Sequence, residues 1–186
     1  AGFCPRLPQD SARPRRIKVL VDCSSSMAGN SIRMVRQALT DFIAGMTDQD
    51  HMTFSRFGST CIHAGYGFQP MDLLGRQFGW EWVEKLEADL GGTEMSQALR
   101  SVFALDMAAK SDVLLLTDGA IEAVDETIAA ARNSGQRVFV VGIGLSPAES
   151  LLRELAEATG GACEWVAAPR EISGAMVRMS ERLGAP

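Results

Sequence analysis

The chain has 186 residues, 46% of them hydrophobic and 22% charged, with a formal net charge of -5; this suits one domain that buries a core without disulfide or metal staples. Mild acidity with Arg and Asp/Glu interspersed excludes the basic footprint of a nucleic-acid binder. No apolar run is long enough for insertion into a bilayer, and AGFCPRLPQDSARPRR at the start lacks a signal peptide's apolar core.

That leader, rich in Pro and Arg, reads as a linker over residues 1–15, with one domain over 16–186; a start without Met suits a piece of a longer, multidomain protein. IKVLVD (17–22) is a short apolar run suited to a strand buried on both faces. From Ser31 the period changes: Ile32, Val35, Leu39, Phe42, Ile43 and Met46 fall at helical spacing, with Arg33, Arg36 and Asp41 off the stripe. HMTFSRFGS and CIHAGYGF, joined near Gly58 and Ser59, predict an antiparallel hairpin at a sheet edge.

Residues 72–90, with Phe78, Trp82, Val83 and Leu86, predict a helix that GGT (91–93) breaks before EMSQALRSVFAL resumes the helical period. DVLLLTDG (112–119) is a second buried strand ending in Asp. A helix holding Val124, Ile128 and Ala131 then stops at Gly135, and RVFVVGIG is a further apolar strand. SPAE (146–149) predicts a helix start, with Ser146 as N-cap, Pro147 in the first turn and Glu149 closing a capping box. After Gly160, ACEWVA is a last strand, and PREISGAMVRM carries Ile172, Met176 and Met179 at helical spacing. The alternation predicts an α/β fold: a doubly wound, mainly parallel six-stranded sheet with one antiparallel edge strand and helices on both faces.

Cys4, Cys23, Cys61 and Cys163 form no CxxC pair and have no His at zinc-finger spacing, so they read as free, mostly buried thiols. Such thiols lean toward a reducing, cytoplasmic compartment. His51 and His63 lie on the hairpin without ligand spacing and read as structural or surface residues. GIG (142–144) lacks the third glycine of a dinucleotide loop and reads as a tight turn.

In an open parallel sheet, ligands bind outside the carboxyl ends of the strands, where Asp22 and Asp118 both fall. If the chain stays extended past Asp22, then Asp22, Ser24 and Ser26 share a side while Cys23 and Ser25 face away. A carboxylate with two hydroxyls suits a hard divalent cation such as Mg²⁺; zinc favours imidazole or thiolate. Taken singly, each piece has a plainer reading: Ser24, Ser25 and Ser26 as a polar loop, Thr93 as a helix N-cap, and Asp118 with Gly119 as a turn.

DxSxS after the first strand (Asp22, Ser24, Ser26), Thr93 in GGT before a helix, and Asp118 in TDG after a later strand together resemble the metal-ion-dependent adhesion site (MIDAS) of the von Willebrand factor A domain. The resemblance extends over about residues 15–183. It implies a Rossmann-like fold in which Ser24 and Ser26 ligate a metal directly, Asp22 and Asp118 bind it directly or through water, and Thr93 enters or leaves the first shell. It further implies Mg²⁺, or Mn²⁺ or Ca²⁺, with one position open to an Asp or Glu carboxylate of a partner protein. Ser25 stands where many members have Gly. The context, TDQDHMTFSRFGS and GGTEMSQAL, resembles inter-alpha-trypsin-inhibitor heavy chains and their bacterial relatives, in which a β-rich domain comes first; AGFCPRLP would be its trailing edge.

The expected function is a cation-dependent protein-binding module and not an enzyme. Its rivals are a scaffold with a vestigial site and an Mg²⁺-dependent phosphoryl-transfer enzyme, although Ser24 stands where the latter needs a second acid. A serine hydrolase would need a GxSxG elbow and a nearby His, and the sequence offers neither.

Overall fold

The computed structural model describes residues 13–107, 110–119, 121–146, 148–183 and 185; the expectations for Cys4 and Pro147 lie outside them. Among the described residues, twelve strands and α-helices follow one another: β1 (Arg16–Asp22), α1 (Asn30–Ala44), β2 (His51–Phe57), β3 (Cys61–Pro70), α2 (Leu73–Glu84), α3 (Met95–Ala104), β4 (Asp112–Thr117), α4 (Val124–Ser134), β5 (Arg137–Ile143), α5 (Glu149–Ala158), β6 (Cys163–Val166) and α6 (Ile172–Leu183). They build a six-stranded sheet in the order β3-β2-β1-β4-β5-β6. All neighbours are parallel except β2 and β3, which form the expected antiparallel edge.

The central strands are apolar throughout because both their faces are covered. Ile17, Val19, Val21, Leu114, Leu116, Phe139 and Val141 face a core shared with α1, α2 and α6. Leu20, Val113, Leu115, Val138 and Val140 face the opposite core, shared with α3, α4 and α5. The strand period of two thus sorts one run of residues into two cores.

Lys18 interrupts the β1 run, yet it is fully buried. Its ammonium donates to the carbonyls of Val102, Phe103 and Leu105, closing the C-terminal end of α3, where unpaired carbonyls favour a cation. Burial pulls its pKa down to about 8.

Two helix boundaries differ from expectation. α2 starts where Asp72 accepts a hydrogen bond from Gly75 N–H (2.9 Å), but it ends at Glu84, and residues 85–94 form a connecting loop. α5 begins at Glu149 rather than directly after Ser146. The Ser146 hydroxyl instead accepts from Ala148 N–H at 3.2 Å, and the Glu149 carboxylate accepts from Arg153 at 2.9 Å, so the expected capping box does not form. Gly135 ends α4 in the left-handed region (φ 66°), as a C-terminal glycine should.

Connections leave β1 toward β2 on one side and arrive at β4 on the other. The crevice between the carboxyl ends of β1 and β4 is therefore the point where the winding reverses, the usual place for a ligand in such sheets.

Candidate metal centre

Asp22 is the last residue of β1 and is fully buried. One carboxylate oxygen accepts the Ser24 backbone N–H at 2.9 Å and the other accepts the Thr117 hydroxyl at 2.6 Å. The Thr117 oxygen in turn accepts from Gly119 N–H at 3.0 Å, so this side chain fixes both the carboxylate and the turn that carries Asp118.

Past Asp22 the chain does not stay extended. Ser24 has extended torsions (φ -66°, ψ 164°), but Ser25–Met27 then form a 3-10 turn. The turn delivers the arrangement expected from alternation by another route: the Ser24 and Ser26 hydroxyls lie 3.0 Å apart, and Ser26 donates to Asp118 Oδ1 at 2.7 Å. Cys23 is packed in the core, and Ser25 points to solvent. Ser25 is not among the positive-φ residues, so the position has no need of a Gly.

Thr93 arrives from the opposite wall. The loop before α3 is tied to the end of β1 by Leu90 N–H to Cys23 O (3.0 Å) and Ser25 N–H to Gly91 O (2.8 Å). It is tied to the hairpin turn by Gly92 N–H to the Ser59 hydroxyl (2.8 Å) and Glu94 N–H to Gly58 O (2.8 Å). A Cβ on Gly119 would stand 2.9 Å from Thr93 Cγ2 and 3.2 Å from Asp22 Oδ2, so Thr93 and Asp22 flank the same point. Asp22, Ser24, Ser26 and Asp118 therefore meet in one crevice, and Thr93 borders it through its methyl group. Thr93 is not the helix cap: Glu94 holds the N-cap position of α3, without a side-chain bond.

Residues 15–165 match the family model described as von Willebrand factor type A domain. The chain belongs to the von Willebrand factor type A domain family. A von Willebrand factor A domain-containing protein of Dictyostelium discoideum is 31% identical over 156 residues, which is 79% of this chain and 16% of that protein. Von Willebrand factor A domain-containing protein 5B1 of Mus musculus is 24% identical over 193 residues, 100% of this chain and 16% of that protein. The chain thus spans about a sixth of the length of these relatives. Among solved structures, von Willebrand factor type A from Catenulispora acidiphila superposes with a TM-score of 0.81 at 22% identity, over 92% of this chain and 43% of that one. Proximal thread matrix protein 1 from the mussel byssus, with a zinc-occupied MIDAS motif, superposes with a TM-score of 0.75 at 16% identity, over 91% of this chain and 46% of that one. At these identities the structural likeness concerns the fold.

The donor chemistry of this von Willebrand factor A domain fits a hard cation: two carboxylates and three hydroxyls, with the nearby thiol of Cys23 turned into the core. Among the described residues, no cluster of three or more His, Cys, Asp or Glu side chains is placed to hold a metal, so a hydroxyl-rich site is the arrangement at hand. No Lys or Arg pairs with Asp22 or Asp118 among those residues either, although Arg–carboxylate pairs are common elsewhere in the domain. Burial raises the pKa of Asp118, the Ser26 hydrogen bond opposes this, and the neighbouring Asp22 charge raises it further. Burial likewise pushes the Cys23 thiol up to about 12, leaving it inert.

Sequence reasoning missed Thr117 as a site residue, because a Thr at the end of DVLLLT reads as strand. The available signal was a lone hydroxyl beside the acidic turn of an otherwise aliphatic strand. Gly119, read as a turn residue, is required by space instead: its φ is not positive, and Thr93 and Asp22 leave no room for a side chain. His51 bonds to Gln49 O, and His63 bridges the Ser55 and Ser101 hydroxyls at 2.7 Å each, away from the five.

Proposed function

We propose that this domain is a divalent-cation-dependent protein-interaction module, with Mg²⁺, or alternatively Mn²⁺ or Ca²⁺, held by Ser24, Ser26, Asp22, Asp118 and Thr93. The observation that carries this reading is the convergence of Asp22 and Asp118 with no Lys or Arg paired to either among the described residues: Asp22 accepts the Ser24 backbone N–H, the Ser24 and Ser26 hydroxyls meet, and Ser26 donates to Asp118. A dication supplies the missing positive charge. Because three of the ligands are neutral hydroxyls, charge is left over to attract a further anion. The open position then takes an Asp or Glu carboxylate from a protein partner, and no reaction is catalysed. The zinc-occupied MIDAS motif of the mussel byssus protein supports metal competence of the shared fold. The short share of its relatives' length supports a place within a longer multidomain protein.

Titration calorimetry with Mg²⁺ and Mn²⁺ tests the site. Wild type binds at millimolar metal or below, and Asp22→Ala and Ser24→Ala lose binding while remaining folded. A silent wild type would mean a vestigial site. Partner capture with and without chelator then tests the bridge, since partners retained equally in chelator would rule out carboxylate bridging.

A further inference from the structure

We infer that Lys18 is a positioning residue for the metal crevice: by gripping the C-terminal end of α3 it fixes the place of Thr93, just before the other end of that helix. Lys18 thereby regulates the cation site proposed above, a role that rests on that reading.

β1 and α3 run side by side in opposite directions. The loop before α3 is bonded to the end of β1 through Leu90 N–H to Cys23 O and Ser25 N–H to Gly91 O, and the last carbonyls of α3 come back to Lys18, near the start of the strand. Lys18 and Asp22 are four residues apart, about 13 Å along a strand. The ten residues of α3 span about 15 Å. The strand is therefore a strut that meets the helix at both ends: Asp22 lies at the end that carries Thr93, and Lys18 at the far end.

What fixes the helix along its axis is polar. Met95, Leu99 and Val102 join the apolar core with Leu20, and contacts of that kind have no directional preference. Lys18 Nζ donates to Val102 O at 3.1 Å, to Phe103 O at 3.4 Å and to Leu105 O, at the helix end that favours a cation. The Ser101 hydroxyl meets His63 Nε2 at 2.7 Å, and Ser96 donates to Glu122 O. Lys18 differs from these in carrying a charge and in holding three carbonyls at once.

The grip is adjustable, because burial lowers the pKa of Lys18 to about 8; Asp106 opposes that shift and Arg16 adds to it. Arg16 and Asp106 pair with each other at 3.5 Å. From β3, His63 bonds Ser55 and Ser101, and burial, with the Lys18 charge, holds its pKa below the usual 6.5, so it is neutral where Lys18 titrates. Thr53, beside Lys18 on β2, and Val113, beside it on β4, carry no charge. Above about pH 8 the neutral amine has one proton fewer to donate and no charge for the helix end, so α3 is held less firmly.

Magnesium titration calorimetry on wild type, Lys18→Met, Thr93→Ala and the double variant tests this role. Lys18→Met should weaken Mg²⁺ about tenfold, the low end for groups that orient a ligand. In the Thr93→Ala background it should cost less than about twofold, because a residue that acts through Thr93 has nothing left to act on. Wild-type affinity should fall as pH rises through about 8, and that of Lys18→Met should not. Stability moves the other way: the folded domain gives up this proton before the unfolded chain does, so the melting temperature of wild type relative to Lys18→Met should rise over the same range. Equal losses with and without Thr93, or one pH profile shared by wild type and Lys18→Met, would overturn the role. A second measurement needs no metal: in chelator, the isotope-labelled methyl resonance of Thr93 should shift with a midpoint at about pH 8 in wild type and stay flat in Lys18→Met. A wild type that bound no Mg²⁺ while Thr93 still followed Lys18 would overturn the cation site and uphold the positioning, whereas a Thr93 methyl indifferent to pH in wild type would overturn the positioning itself.

Discussion

The Ser26 hydroxyl donates a 2.7 Å hydrogen bond to Asp118 Oδ1 across 92 positions of sequence, closing the crevice between β1 and β4. Ser24 meets the same hydroxyl at 3.0 Å, while Ser25, between them, faces solvent.

Ser25→Gly should therefore leave metal affinity within about twofold of wild type, since the position has no side chain at the site and no need of positive φ. Ser26→Ala removes both a proposed ligand and the link to Asp118 and should weaken Mg²⁺ at least tenfold, about 1.4 kcal/mol. Calorimetry on the pair distinguishes the two roles.

Asp118→Asn should raise the stability of the metal-free domain while abolishing metal binding. The raised pKa of Asp118 means the folded state binds a proton more readily than the unfolded chain. Stability of the metal-free protein thus increases as pH falls through the window between the raised pKa and the ordinary value of 3.8. Metal competes with that proton, so affinity should fall off at a higher pH than a free carboxylate would require. Thermal melts with chelator and metal titrations across pH check both signs.

Thr117→Val keeps the shape of the side chain but removes the donor to Asp22 and the acceptor for Gly119. Supporting contacts of this kind are worth about 10- to 100-fold in metal affinity, and that loss should appear with the fold intact by circular dichroism. An unchanged affinity would show that Ser24 N–H alone positions the carboxylate. Gly119→Ala should weaken metal binding for a different reason, by pushing Thr93 and Asp22 apart.

Asp50 should govern acid sensitivity. Burial raises its pKa, but hydrogen bonds from Arg15 and from the Thr47 and Arg15 backbone, with the Arg15 charge, outweigh this and hold it below the ordinary 3.8. Its contribution is complete above that value and is lost as pH falls through the lowered folded pKa. Arg15→Ala leaves a buried carboxylate unpaired and should cost about 3–5 kcal/mol, read as a lower melting temperature.

The hairpin, the helical stripe of α1 and the three apolar strands β1, β4 and β5 were legible from period alone, because each buries a face whose spacing is local. The end of α2 at Glu84 was not. Residues 85–92 keep apolar side chains, with Leu86 1% exposed, yet their backbone groups find partners in Cys23, Ser25 and Ser59, which a helix-period argument cannot see.

By itself, the sequence determined the order of strands and helices, and it placed two aspartates and two serines at strand ends and a threonine before a helix, since hydrophobic period and residue type are properties of short stretches. Only the tertiary structure decided how those groups meet: that a 3-10 turn, not an extended strand, turns Ser26 toward Asp118, that Thr117 orients Asp22, and that Gly119 must lack a side chain. Each of these depends on hydrogen bonds or close approaches between segments distant in sequence, which form only once the sheet has set β4 beside β1.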